Sequence, residues 1–282
     1  MTPASFDLDA YLTRIGHAGA RGVSLSTLRE LVARHSMAIA FENIEPVAGR
    51  APALDVHALQ QKLVHGCRGG YCYEQNTLFL AALRAMGFSA VGLLARVRRG
   101  VPPGVETARS HMLLCVALPE GPFLADVGFG GLTPTAPLAL RAASEQPTPN
   151  ETFRLRENGE WLLQARIGEE WEDVYRFTLQ PERPADYEQA NWYTATRPGA
   201  MFAQNLIVTR PAPNLRRTLF NRHYTERRYD GTRARQVLRS ANEYRDVLRD
   251  IFGLTLSAED LGAVMAVVDR HDPDAPYGGN FA

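Results

Sequence analysis

The chain has 282 residues, enough to bury a full hydrophobic core and to form two or three compact subdomains. Basic and acidic residues number 31 each, a balance that argues against a dedicated nucleic-acid binder. The longest apolar runs are too short to cross a bilayer, and residues 1–12 lack the basic and apolar regions of a signal peptide. Three cysteines, an odd number, do not suggest a disulfide framework. The sequence therefore predicts a reduced, cytoplasmic protein with no nucleic-acid or membrane partner.

The first third of the chain has the residue patterns of helices. Thr27 and Glu30 have the spacing of a capping box ahead of an apolar run, and Asp55 can cap the helix that follows it. A third helix is predicted for residues 72–86, because its apolar residues recur at intervals of three and four. Gly87 would end this helix in the left-handed conformation that suits glycine.

Short apolar or alternating runs begin at about residue 89, a pattern typical of strands. Asn158-Gly159 is a strong hairpin signal within this part. The predicted strands are 90–97, 112–118, 123–129, 153–156, 161–166 and 171–178, which form a meander, sandwich or barrel. The last part mixes predicted strands at 205–209 and 215–220 with helices at 242–251 and from Ser257 onward. The predicted order is helical, then β, then mixed, which makes the fold class α+β.

The most informative segment for chemistry is residues 68–76, RGGYCYEQN. Its two glycines allow a sharp backbone turn that delivers Cys72 to the first turn of a helix. Unpaired amides and the helix dipole favour a thiolate there. The alternative is that Cys72 is a small buried hydrophobic residue, as most cysteines of reduced proteins are. Cys67 and Cys115 lack such a setting and are predicted to be structural, and no Cys/His cluster completes a metal site.

A nucleophilic cysteine needs a base, and the base needs an acceptor that orients it. His111 lies at the start of a predicted strand, and Asp126 lies in an apolar run where a carboxylate needs a partner. A hairpin in which both residues only cap strand ends is the alternative. If Leu118 pairs with Phe123, the two side chains share a face but are offset by about 13 Å along the strands. A longer turn, a bulge or strong coiling would then have to close the gap.

Together these segments resemble the arylamine N-acetyltransferases. The resemblance covers nearly the whole chain and is carried by residues 41–43 (FEN), 68–76, 110–112 (SHM) and 126–131 (DVGFGG). Residues 194–198, TATRP, depart from the serine-rich run that is usual there. The resemblance implies that Cys72, His111 and Asp126 act as nucleophile, base and orienting acid.

The resemblance also implies a fold with a cysteine-protease-like catalytic core. An N-terminal helical bundle (1–88) would carry the nucleophile, and a central β-barrel (89–200) would carry the histidine and aspartate. An α/β lid (201–282) would follow, with the catalytic residues where the first two domains meet.

Further site residues are implied in the same way. Those matched to the acceptor pocket are Phe41, Tyr71, Val97, Phe129 and Phe202. Those matched to the acyl group and the pantetheine arm of CoA are Ser110, Gly128, Phe129 and Gly130. Glu42 and Arg68 are predicted to form a structural ion pair that braces the glycine turn. A basic segment near the C-terminus could meet CoA phosphates, but a solvated strand face is favoured for its arginines: Arg216, Arg217, Arg222, Arg227, Arg228, Arg233 and Arg235.

The implied activity is transfer of an acetyl group from acetyl-CoA to an arylamine, hydrazine or arylhydroxylamine. The reaction would be ping-pong through acetyl-Cys72, with acetyl-CoA as a substrate and no permanently bound cofactor or metal. Two alternatives use similar residues: a macrolactam-forming amide synthase of polyketide biosynthesis, and a cysteine hydrolase or transglutaminase-like enzyme. A non-catalytic binding module is disfavoured because the three residues are intact. A homo-oligomer is compatible with the sequence.

Overall fold

The computed structural model describes residues 6–229 and 231–274, and helices come first along the chain. Residues 1–5, which enter the signal-peptide prediction, lie outside the described residues. The helices are α1 (Leu8–Arg14), α2 (Leu25–Ala38), α3 (Ile44–Val47), α4 (Val56–Leu59), which continues into a π-helical turn (Gln60–His65), and α5 (Cys72–Ala85). Within the described residues, no helix is both long enough and apolar enough to span a membrane.

The capping predictions had different outcomes. Asp55 caps α4 as predicted, because its carboxylate accepts a hydrogen bond from the Ala58 N–H at 2.9 Å. The prediction of a capping box formed by Thr27 and Glu30 is wrong. Helix α2 begins earlier, with Ser24 as the N-cap, whose hydroxyl oxygen accepts from the Thr27 N–H at 3.1 Å. A serine before an apolar run is as good a cap as a threonine, so spacing alone selected the wrong residue.

An eight-stranded antiparallel sheet follows the helices and almost closes into a barrel. Its strands lie in the order β5-β4-β3-β2-β9-β8-β7-β6. The edge strands β5 and β6 are joined through a side chain: the Gln146 amide bonds to the backbone N–H and C=O of Ala139 at 2.7 and 2.9 Å. The bounds are β2 (Ser89–Val97), β3 (Arg109–Leu118), β4 (Gly121–Ala125), β5 (Leu138–Ala139), β6 (Glu145–Pro147), β7 (Thr152–Asn158), β8 (Glu160–Ile167) and β9 (Glu170–Phe177).

The last part is mixed, as predicted, and its five-stranded sheet has the order β1-β10-β11-β12-β13. Its first strand, β1 (Phe41–Glu42), comes from the helical part of the chain and pairs with β10, so that Phe41 lies opposite Thr209. The remaining elements are α6 (Pro184–Thr196), α7 (Met201–Gln204), β10 (Ile207–Ala212), β11 (Leu215–Phe220), β12 (His223–Arg228), β13 (Arg233–Val237), α8 (Ala241–Asp246), which runs into a π-helical turn (Val247–Ile251), and α9 (Ala258–Val268). The α+β fold class is confirmed, and the domain boundaries at 88 and 200 stay predictions.

A buried ion cluster ties the two sheets together. Glu151, which precedes β7, accepts hydrogen bonds from Arg216 at 2.6 and 2.7 Å and from Arg227 at 2.7 Å. Arg216 also donates to the Thr133 carbonyl at 2.6 Å. Burial raises the pKa of Glu151, but the two guanidinium groups outweigh burial and hold it below its usual range. The predicted solvated face is therefore wrong for these two arginines and for Arg222, which are all buried.

Replacement of the central carboxylate should destabilise the fold. In Glu151→Gln, two buried guanidinium groups lose their counter-charge, and the free energy of unfolding should fall by about 3–5 kcal/mol. Urea denaturation near neutral pH measures this loss. The control is Glu145→Gln, whose carboxylate is 54% exposed and 3.3 Å from Arg166, and which should change stability by less than about 1 kcal/mol. Equal effects of the two substitutions would contradict a stabilising role for the cluster.

Candidate active site

The glycine turn before α5 places Cys72 at the start of that helix. A Cβ on Gly69 would lie 2.3 Å from the Ala40 carbonyl oxygen, so the backbone can pass there only as glycine. The Tyr71 N–H donates to the Glu74 carboxylate at 3.0 Å, which closes the first turn. Cys72 is 3% exposed, and its thiol lies 3.9 Å from the Ser110 carbonyl oxygen. The predicted helix start is confirmed.

The predicted ion pair beside this turn also forms. Arg68 lies 2.9 Å from the Glu42 carboxylate and 3.1 Å from that of Asp260. Glu42 in turn accepts from the Ile44 N–H at 2.7 Å. The pair therefore joins the glycine turn to the segment around β1 and to α9 near the C-terminus.

The hairpin that carries His111 and Asp126 has a different register from the predicted one. Leu118 pairs with Gly121, not with Phe123, because the turn has two residues and not four. Strand β4 ends at Ala125, short of the predicted end at residue 129. The new register reduces the offset between His111 and Asp126 to about 7 Å along the strands. The remaining gap closes because the chain leaves the ladder at Asp126.

A β-bulge in β3 also shapes this region. His111 pairs with Ala95, but Arg109 pairs with the next residue, Arg96, so Ser110 is the extra residue of the bulge. Bulges of this kind re-aim neighbouring side chains and occur often beside active sites. Here the bulge turns the Ser110 carbonyl toward the Cys72 thiol.

Asp126 is fully buried and has four hydrogen-bond partners. One carboxylate oxygen accepts from His111 Nε2 at 2.7 Å and from the Tyr175 hydroxyl at 3.0 Å. The other accepts from the Gly128 N–H at 2.9 Å and from the Asn76 amide at 3.0 Å. Because Nε2 is bound to Asp126, the Nδ1 atom of His111 is the ring nitrogen that remains for the Cys72 thiol.

Asn76 and Tyr175 are site residues that the sequence analysis did not single out. The Asn76 amide nitrogen also donates to the Met112 carbonyl at 2.8 Å, and its oxygen accepts from the Val127 N–H at 3.2 Å. A signal for Asn76 exists, because it lies one helical turn after Cys72 and therefore on the same face of α5. Tyr175 has no comparable signal, since it lies on β9, far along the chain.

The charges of this site stabilise one another. Burial lowers the pKa of His111, but the charge of Asp126, its hydrogen bond and the hydrogen bond with Cys72 outweigh burial and raise that pKa to about 10. Burial likewise raises the pKa of Asp126, but His111, the Gly128 N–H and the Asn76 amide hold it below its usual range. His111 is therefore an imidazolium at neutral pH, and Asp126 is a carboxylate.

A cavity of about 700 Å³ opens in front of Cys72 and His111. Most residues predicted for the acceptor and for CoA line it: Phe41, Val97, Ser110, Gly128, Phe129 and Phe202. Arg99, Glu106 and Arg197 add charges to the wall. Among the described residues, no group of histidine, cysteine and acidic side chains is arranged to hold a metal ion.

Tyr71 and Gly130 do not line this cavity. The Tyr71 ring is fully buried, edge-on to Phe202 at 5.7 Å between ring centroids, and its hydroxyl donates to the Asn191 side chain. Gly130 adopts a positive φ of 81° and lies against the Phe41 ring. Both residues support the ring walls of the cavity from behind.

The chain is similar to known proteins along almost its whole length. A family model described as N-acetyltransferase matches residues 24–261. The arylamine N-acetyltransferase of Escherichia coli (strain K12) is 37% identical, with 98% of this chain and 99% of the relative covered. The Salmonella typhimurium relative, an arylamine N-acetyltransferase / N-hydroxyarylamine O-acetyltransferase, is 38% identical over 95% of this chain and 98% of its own.

A solved structure of the same family has the same fold as this chain. The Mycobacterium marinum arylamine N-acetyltransferase in complex with CoA superposes with a TM-score of 0.89 at 37% identity, over 94% of this chain and 99% of that one. The matched family model, the full-length similarity and the shared fold all agree. The chain belongs to the arylamine N-acetyltransferase family.

Proposed function

We propose that the protein transfers an acetyl group from acetyl-CoA to an arylamine, a hydrazine or an arylhydroxylamine through acetyl-Cys72. The observation that carries this proposal is the juxtaposition of Cys72 at a helix start with the hydrogen-bonded pair of His111 and Asp126, all behind one cavity. The arylhydroxylamine acceptor is supported by the name of the Salmonella relative. The cytoplasmic location and a homo-oligomeric state stay predictions.

In the first half-reaction, the Cys72 thiolate attacks the carbonyl carbon of acetyl-CoA. The bond between this carbon and the CoA sulfur breaks, and CoA leaves as a thiol with the proton that the His111 imidazolium supplies. One thioester replaces another, so this step has a small equilibrium cost. The Cys72 backbone N–H at the helix start is a suitable donor to the oxyanion.

In the second half-reaction, the amine nitrogen attacks the carbonyl carbon of acetyl-Cys72. Neutral His111 accepts the amine proton, the carbon–sulfur bond breaks, and the amide leaves while Cys72 returns to the thiolate. Water would compete for acetyl-Cys72, so the aromatic walls formed by Phe41, Phe129 and Phe202 suit the task. Asp126 keeps its charge throughout and stabilises the imidazolium.

The first test is the covalent intermediate. Acetyl-CoA without an amine should add one acetyl group, which peptide mass spectrometry should locate on Cys72, and Cys72→Ala should abolish labelling and turnover. With both substrates, double-reciprocal plots at several amine concentrations should be parallel. An acetyl group on Cys67 or Cys115, or intersecting lines, would contradict the proposal.

The second test separates the acceptor wall from the catalytic residues. Phe202→Ala should weaken the binding of aromatic amines by about 1–3 kcal/mol, because stacking and burial are lost. The rate at which acetyl-Cys72 forms should change little. Phe129→Ala should slow both half-reactions, because this ring stands edge-on to His111 at 5.0 Å. Trp192→Ala, at a side chain that is 61% exposed outside the cavity lining, is the control. The two half-reactions are measured separately by CoA release and by decay of the acetyl-enzyme. Equal losses of both half-reactions in Phe202→Ala would assign that ring to the fold.

The third test uses the raised pKa of His111. At pH 6 the charged ring should stabilise the Cys72 thiolate, so iodoacetamide should alkylate Cys72 before Cys67 or Cys115. In Asp126→Asn the pKa of His111 should fall, because burial is no longer opposed by a carboxylate, and reactivity at pH 6 should be mostly lost. The measurement is alkylation rate against pH, with circular dichroism as the check on folding.

Tyr175→Phe is the matched control for the third test. It removes one hydrogen bond from Asp126 but keeps the charge, so most of the reactivity at pH 6 should remain. A profile of the unmodified protein that rises only above about pH 8, as for an ordinary thiol, would rule out the ion pair. Normal reactivity in Asp126→Asn would remove Asp126 from the mechanism.

A further inference from the structure

A chain of buried hydrogen bonds leads from helix α1 to the glycine turn that precedes the nucleophile. The Tyr11 hydroxyl lies 2.8 Å from His35 Nδ1, and His35 Nε2 lies 3.3 Å from the Gln75 side-chain oxygen. The Gln75 amide nitrogen donates to the Gly70 carbonyl at 2.7 Å and to the Ala40 carbonyl at 3.3 Å. Tyr11, His35 and Gln75 are each 0% exposed, and the acetyl-transfer steps above use none of them.

With a neutral His35 ring, the hydrogen bonds of this chain can run in only one direction. The Gln75 nitrogen faces two carbonyl groups and must donate to both, so the Gln75 oxygen faces His35 and accepts. His35 therefore carries its proton on Nε2, and Nδ1 accepts from the Tyr11 hydroxyl. Burial lowers the pKa of His35 to about 3, although the Gln75 hydrogen bond opposes burial. The ring is therefore neutral near neutral pH, with its proton on Nε2.

The two carbonyls at the end of the chain connect the cavity wall to the nucleophile. Ala40 precedes Phe41, which lines the cavity, and Gly70 lies two residues before Cys72. The Gly70 N–H donates to the Ala40 carbonyl at 3.3 Å, and the Gly70 carbonyl accepts from the Glu42 N–H at 3.1 Å. The Gln75 amide bridges both carbonyls across this junction.

We propose that His35 is a positioning residue for acetyl transfer: its neutral ring orients the Gln75 amide, which fixes Cys72 relative to Phe41. The inference rests on the proposed function, in which Cys72 is the nucleophile. Without the Nε2 donor, the Gln75 oxygen is buried and unpaired, and no other orientation of that amide satisfies both carbonyls. A displacement of the nucleophile by as little as about 1 Å lowers rates by up to about a hundredfold.

The test variant is His35→Phe. In the unmodified protein the His35 ring lies edge-on to Phe79 at 5.3 Å between ring centroids, and the variant keeps a ring there but has no hydrogen-bond donor. The single-turnover rate constant for CoA release from acetyl-CoA, without an amine, should fall at least about tenfold. The acetyl-CoA concentration for half-saturation should change little, because His35 does not line the cavity. His35→Gln, whose amide nitrogen can replace Nε2, should recover most of the rate.

Two further variants separate positioning from stability. Leu28→Ala removes a fully buried side chain from the same helix, so it should lower the unfolding midpoint but leave the rate constant unchanged. Gln75→Met keeps the length of the side chain and removes all its hydrogen bonds, so it should match the loss in His35→Phe. The double variant should be no slower than the slower single variant, because both residues act through one chain.

Each outcome decides the proposal. An unchanged rate constant in His35→Phe, a loss that Leu28→Ala reproduces, or losses that multiply in the double variant would overturn it. If His35→Phe does not fold, the rate constants of Gln75→Met and Leu28→Ala are compared instead. A loss in Gln75→Met that Leu28→Ala does not show supports the proposal, and equal rate constants overturn it. Failure of the unmodified protein to acetylate Cys72 would instead contradict the proposed function, so the two failures are distinguishable.

Discussion

The buried carboxylate of Asp126 is the constraint on which the rest of the site depends. A charge with no exposure to water is costly unless hydrogen bonds and an opposite charge replace the lost solvent. The four partners of Asp126 come from four places: strand β3, strand β9, helix α5 and the backbone just after β4. Satisfying this one charge therefore fixes the position of the helix that carries Cys72 against the barrel that carries His111. The fold and the geometry of the proposed catalytic residues therefore depend on the same hydrogen bonds.

Close backbone contact is the second requirement of this junction. A Cβ on Gly128 would lie 2.8 Å from the Cys72 Cα and 2.8 Å from the Asn76 amide nitrogen. The loop after Asp126 therefore rests directly on the first turn of α5, and only glycine permits that contact. Larger residues at this position would separate Asp126 from Asn76 as well as Cys72 from the loop. Gly128 is therefore needed both for the hydrogen bond between Asp126 and Asn76 and for the packing of the loop on α5.

Local patterns in the sequence were sufficient for some parts of the structure and not for others. The start of α5 at Cys72 and six of the eight barrel strands follow from glycine placement and apolar periodicity, which act over a few residues; the short strands β5 and β6 were not predicted. The register of the β3–β4 hairpin did not follow, because the segment between the strands, residues 119–122 (PEGP), can form a turn of two or of four residues. Tyr175 was missed because its contact with Asp126 depends on the pairing of β2 with β9. Arg216 and Arg227 were assigned to a solvated face because their partner, Glu151, is remote in sequence.

The pairing of β1 with β10 has a consequence for the order in which the molecule is made. Phe41 is synthesised early, but its strand partner Thr209 emerges much later, and the loop between them must close before they pair. A nascent chain that already contains Cys72, His111 and Asp126 still lacks the sheet that holds one wall of its cavity. Contacts so distant in sequence form slowly. We therefore expect the proposed nucleophile, Cys72, to be enclosed by the complete cavity wall only near the end of synthesis, after His111 and Asp126 are already in the chain.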